Sequence, residues 1–118
     1  MKHFKQLLIW QKGLEIAAQS FQFVKSFPKE ERFGLSVQIT KAAVSISSNI
    51  AEGSSRSGEK DYNRYLEISL GSCYELETQL LISDAINYGD GELRKLLLNN
   101  ITEEQKMLVS FLGKLNKF

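Results

Sequence analysis

The sequence predicts an all-α fold, an antiparallel up-down-up-down four-helix bundle forming one domain over residues 1–118. Apolar residues recur at alternating spacings of three and four along four long segments, and nowhere does a strand-like period of two appear. A single proline in 118 residues favours long helices. Short polar breaks rich in Gly, Ser and Asn separate the segments, which makes successive helices antiparallel neighbours.

Helix one is expected from about Lys5 to Lys25, with Leu7, Trp10, Leu14, Ala17, Phe21 and Val24 as its core seam. A second stripe, Ile9, Ile16 and Phe23, lies on the opposite side; Lys5 and Lys12 lie near it, so that face is mixed. Pro28 fits the first position of the next helix, where a missing N–H costs nothing. Helix two is expected over roughly Glu30 to Glu52, interrupted in its first turn by Gly34. Leu35, Ile39, Ala42, Ala43, Ile46 and Ile50 form its core face, and Phe33, Val37 and Val44 a second stripe opposite.

Ser45 to Arg56, Ser-Ile-Ser-Ser-Asn-Ile-Ala-Glu-Gly-Ser-Ser-Arg, is the least generic window in the chain. Gly53 is expected to end helix two in a left-handed conformation. Helix three starts near Ser57 to Asp61, with Ser57 as its cap, and holds Tyr62, Leu66, Ser69, Cys73, Leu76 and Leu80 in seam to about Asn87. Asn87 to Gly91 is a turn. Helix four runs from about Gly91 to Leu115, with Leu93, Leu97, Ile101, Met107, Leu108, Phe111 and Leu115 inward.

A bundle has one core, so second apolar stripes on two consecutive helices predict a partner surface, most simply another copy of the chain. The expected oligomer interface is therefore Ile9, Ile16, Phe23, Phe33, Val37 and Val44.

Composition sets the remaining bounds. Hydrophobic residues at 42% and charged residues at 25% are ordinary globular usage and argue against disorder. The lone cysteine, Cys73, forms no internal disulfide, so a cytoplasmic location is expected. No window approaches the roughly 18 apolar residues of a membrane span, and the apolar run from Leu7 to Trp10 is too short for a signal segment. The net charge is +1. Residues 1–50 hold seven Lys/Arg against three Glu, whereas residues 51–118 hold eight against eleven acidic residues. The first half thus contributes most of any basic patch.

Four segments together resemble one family: Leu8 to Lys12, Phe27 to Leu35, Ser45 to Arg56, and Gly71 to Leu80 with its Gly-Ser-Cys-Tyr-Glu-Leu-Glu-Thr-Gln-Leu run. They resemble the bacterial 23S rRNA intervening-sequence proteins, and through them the accessory protein of diversity-generating retroelements. The resemblance spans nearly the whole chain; Lys41 and Ser47 depart from its usual arginine and proline. It implies a homopentameric ring of bundles, associated with RNA or a nucleic-acid-handling partner and without enzymatic activity. The alternative is a protein-binding adaptor or scaffold ring with no nucleic-acid affinity.

No residue constellation predicts catalysis, a cofactor, a small-molecule substrate or a membrane partner. Glu52, Glu75 and Glu77 lack the histidines of a bundle metal site, since the only histidine is His3 near the N-terminus. Glu52 and Glu75 are expected to be structural polar groups, with Asn49 and Arg56 as partners. Cys73 falls on the core seam with no general base nearby, which predicts a buried structural thiol. The candidate phosphate contacts are Lys5, Lys12, Arg32, Lys41, Arg56 and Arg64, each also readable as an ordinary solvated side chain. Trp10 has the chemistry of a base-stacking platform, but its place on the first stripe favours a core or subunit contact.

Overall fold

The computed structural model describes residues 3–31 and 34–115. A 3-10 turn at Phe4–Gln6 leads into α1 (Leu8–Val24), a second lies at Lys29–Glu31, and α2 (Leu35–Ser54), α3 (Glu59–Ala85) and α4 (Gly91–Leu115) follow. Among the described residues there is no strand. Each helix packs against its neighbours in the cycle α1–α2–α3–α4–α1, giving an antiparallel four-helix bundle of 47 × 22 × 20 Å. No helix among the described residues is long and apolar enough to cross a membrane.

Local chemistry sets the helix ends. Leu7 is extended (φ −76°, ψ 130°), so α1 opens at Leu8 and the residues before it form a separate turn. Gly34 sits at the N-cap of α2, which therefore starts later than Glu30. Asn87 adopts a positive φ of 61° and the Tyr88 N–H reaches back 2.9 Å to the Ser83 carbonyl, closing α3 at Ala85. The cap of α3 is Gly58 and not Ser57, with no side-chain hydrogen bond; Glu59 and Asp61 sit in the first turn, where the helix N-terminus favours negative charge.

Gly53 also departs from expectation. It is helical and buried, and α2 continues through it to Ser54. Its role is close approach: a Cβ there would stand 2.7 Å from Tyr65 Cβ and 3.1 Å from Tyr62 Cδ1. The absence of a side chain lets α2 and α3 meet at their corner.

The cores of α2 and α3 are as expected. Ile39, Ala42, Ala43, Ile46 and Ile50 are buried against Tyr62, Leu66, Cys73, Leu76 and Leu80, with Ser69 fully buried among them. On α4, Leu97, Ile101 and Leu108 join the core, and Leu112 completes it. Each fully buried large side chain contributes on the order of 1.5–3 kcal/mol relative to exposure.

On α1 the second stripe is buried and the first is divided, with Ala17 buried and Leu7, Trp10 and Val24 half-buried against the core. Leu14 and Phe21, expected inside, are each 51% exposed, and the buried residues are Ile9, Gly13, Ile16, Ala17, Ser20 and Phe23. Ile9, Ile16 and Phe23 are therefore core residues of the chain itself and not interface residues. The reason lies across the bundle. Lys12, which made that face look mixed, places its Nζ 3.2 Å from Glu103 Oε2 and 3.3 Å from Asn100 Oδ1. Asn100 Nδ2 in turn donates to Gln19 Oε1 at 2.8 Å and Glu15 Oε1 at 3.0 Å. Polar residues beside the stripe are partners for α4, not a sign of solvent.

Of the second stripe on helix two, Val37 and Val44 are exposed, at 38% and 41%. Phe33 lies outside the described residues.

Candidate nucleic-acid interface at the α2–α3 corner

The α2–α3 connection is short because Gly53 draws the helices together, and local bonds tie it down. Ser54 Oγ donates to the Ala51 carbonyl at 2.6 Å, Ser55 Oγ to the Glu52 carbonyl at 2.7 Å, and the Arg56 N–H to the Gly53 carbonyl at 3.1 Å. Arg56 is thereby held facing α3. Its Nη2 donates to Tyr65 Oη at 2.7 Å and to Glu52 Oε2 at 2.9 Å, and the Tyr65 hydroxyl lies 3.4 Å from the same carboxylate oxygen. The bond to Tyr65, more than the Glu52 charge, pushes the already high pKa of Arg56 further up. Arg56 keeps its charge at any pH the fold survives.

The Tyr65 ring carries two guanidiniums. Arg56 Cζ is 5.0 Å and Arg64 Cζ 5.1 Å from its centroid. Arg64 is exposed. Lys5, in the first 3-10 turn, lines a surface pocket with Ala51, Ser54 and Ser55, and Gln11 Nε2 fixes that turn by donating to the Lys5 carbonyl at 2.9 Å. One end of the bundle thus holds Arg56 and Arg64 on an aromatic ring and Lys5 beside Ser54 and Ser55, with Glu52 offsetting part of their charge. Such a set offers guanidinium donors for phosphate oxygens.

The other candidates lie elsewhere. Lys12 is engaged on the α1–α4 seam, and Arg32 is outside the described residues. Lys41 is exposed on α2, thirteen residues before the helix ends at Ser54, a rise of about 20 Å along a helix. Trp10 is half-buried and meets Phe4 edge-on, with centroids 5.3 Å apart.

Among the expected structural polar groups, Asn49 is half-buried and its Nδ2 donates to the Ser45 carbonyl at 2.8 Å and to Ser45 Oγ at 2.9 Å. Ser45 Oγ bonds Ser72 Oγ on α3 at 2.8 Å, so Asn49 supports that contact. Glu52 belongs to the Arg56 cluster, Glu75 is exposed, and Glu77 Oε1 accepts from Gln105 Nε2 at 2.7 Å. Among the described residues no three His, Cys, Asp or Glu side chains gather as metal ligands would. Cys73 is buried, and burial pushes its thiol well above the ordinary range, which leaves it a poor nucleophile.

Two polar residues in the core escape the sequence pattern. Arg94 is buried at the α3–α4 turn, where its Nη2 donates to the Tyr88 carbonyl at 2.6 Å, its Nε to Ser83 Oγ at 3.2 Å, and its Nη1 reaches Asp84 at 3.3 Å. Glu104 is fully buried. Both occupy seam positions of helix four, three residues from Leu97 and from Ile101, so the three-four spacing held the signal. A charged residue on an apolar seam is read as a gap unless its partner is known.

A solved structure supports the fold independently. The crystal structure of a protein with unknown function from the S23 ribosomal protein family of Bacteroides thetaiotaomicron is similar, with a TM-score of 0.80, 27% identity, and coverage of 89% of this chain and 98% of that one. No curated protein matches the chain. The family model described as 23S rRNA-intervening sequence protein matches residues 5–110, and with the four-helix bundle and the corner motif in place, the chain belongs to the 23S rRNA-intervening sequence protein family.

Proposed function

We propose that the protein is a non-catalytic bundle that assembles with copies of itself, as a pentameric ring in keeping with the family resemblance, and associates with RNA through the α2–α3 corner. The observation that carries the RNA association is the pair of guanidiniums on Tyr65 with Lys5 at the same end. Repeated once per subunit, three cations become a charged annulus, and each phosphate neutralised adds salt-dependent affinity. The near-neutral net charge of +1 makes local clustering, not overall charge, the source of that affinity.

Self-assembly is favoured by the outer side of the α1–α2 pair, where Leu14, Phe21, Val37 and Val44 are all exposed. These replace Ile9, Ile16 and Phe23 as the residues on which an interface would rest. The same apolar face supports a second reading, a protein-binding adaptor with no nucleic-acid affinity.

Fluorescence anisotropy with a structured RNA hairpin at about 50 and about 200 mM salt tests the first reading. The wild type should bind more weakly at the higher salt. Lys5→Ala with Arg64→Ala should weaken binding and flatten the salt slope by about one for each phosphate left without its cation. Equal affinity in wild type and variant, or no binding at low salt, favours the adaptor. Light-scattering mass tests assembly on the same samples: Leu14→Asp with Val44→Asp should lower the mass and preserve helicity, and a monomeric wild type would sink the ring.

A further inference from the structure

We propose that Glu104 makes the α1–α4 seam a proton-sensitive latch, closed while its carboxyl is neutral and loosened when it ionises. Glu104 has no exposed surface, and among the described residues neither carboxylate oxygen has a hydrogen-bond partner. Space for it comes from Gly13: a Cβ there would stand 3.3 Å from Glu104 Oε2 and 3.2 Å from both Ile46 Cγ2 and Ser47 Cβ. The carboxyl is therefore packed at the meeting of α1, α2 and α4, where an anion would lose its hydration without replacement.

The groups facing it do not supply a counter-charge in contact. From α1, Lys12 is the neighbouring cation, but its Nζ is committed to Glu103 and Asn100 on the rim. From α3 come the buried Cys73 and the carboxylate of Glu77, which is bonded to Gln105. From α2, Ile46 and Ser47 contribute no titratable group at this point. On α4 itself the adjacent Glu103 pairs outward with Lys12. Burial dominates over the attraction of Lys12 and raises the Glu104 carboxyl to about 8.

The sign follows from proton uptake. The folded chain holds this proton more tightly than the unfolded chain, so the stability from the neutral form is complete below the ordinary carboxyl value of 4.5 and is lost as pH rises toward about 8. Ionisation would draw Lys12 away from Glu103 and Asn100 or admit water beside Gly13. Either event opens the seam next to Cys73.

The test compares the full-length wild type with Glu104→Gln from about pH 5 to about pH 9, by thermal melting and by the rate at which a soluble disulfide reagent labels Cys73. The wild-type melting temperature should fall with rising pH more steeply than that of the variant. The ratio of wild-type to variant labelling rates should climb over the same range; the ionised Glu104 carboxylate itself suppresses the Cys73 thiolate, which works against the climb, so a rise reports opening of the seam. Parallel pH profiles in both assays would overturn the proposal. Should the variant fail to fold, the assigned side-chain carboxyl resonance of Glu104 in the wild type decides alone. A midpoint near 8 supports the latch, and one in the ordinary range of about 4–5 overturns it.

Discussion

The α2–α3 and α1–α4 seams meet the same requirement, burying polar atoms between antiparallel helices, by opposite means. Along α2–α3 the serines bond on the spot. Gly53 admits Tyr65, Ser45 and Ser72 share a bond of 2.8 Å, and Ser69 Oγ donates to the Ile46 carbonyl. Along α1–α4 the polar side chains are long. Lys12, Glu103, Asn100, Glu15 and Gln19 form a network at the edge, while Glu104 stays inside with no hydrogen-bond partner among the described residues. The first arrangement gives close, pH-indifferent contact; the second gives a contact whose strength depends on charge.

The contrast can be broken by substitution. Gly53→Val should have the largest effect, since even its Cβ would lie 2.7 Å from Tyr65 Cβ, and overpacking of this kind costs about 3 kcal/mol or somewhat more. Chemical denaturation would measure it. A loss well under 1 kcal/mol, on the order of an ordinary surface change, would mean that the corner is looser than the geometry implies.

Ser69→Val should cost less, on the order of 1–3 kcal/mol, by crowding a fully buried site and removing its hydroxyl bond to α2. The same denaturation midpoint reports it, and the loss should not vary with pH. A strong pH dependence would undo the distinction between the seams.

Lys12→Met should have the smallest effect near neutral pH, within about 1 kcal/mol, because Glu103 is more than half exposed and water screens the pair. If it destabilised the fold more than Ser69→Val, the α1–α4 network would be the stronger seam and the ranking would reverse.

The α2–α3 seam was also the more legible of the two. Ser69 and Cys73 are small residues on a regular three-four stripe, and their burial follows from spacing alone. At the corner, Arg56 and Arg64 were visible as cations. Their meeting on Tyr65 was not, because it depends on where α3 leaves the turn relative to Gly53.

Local sequence by itself determined the four helices, the turn from Asn87 to Gly91, the buried faces of α2 and α3, and Leu97, Ile101 and Leu108 on α4, because periodicity and turn chemistry act over a few residues. Tertiary structure decided which of the two stripes on α1 is inside. Lys12, whose charge made the buried stripe look mixed, is accommodated by Asn100, 88 residues away, and a contact so distant leaves no trace in the spacing of one helix. The same holds for Glu104, whose position on the seam is written in the sequence but whose missing partner and raised carboxyl come only from the helices packed around it.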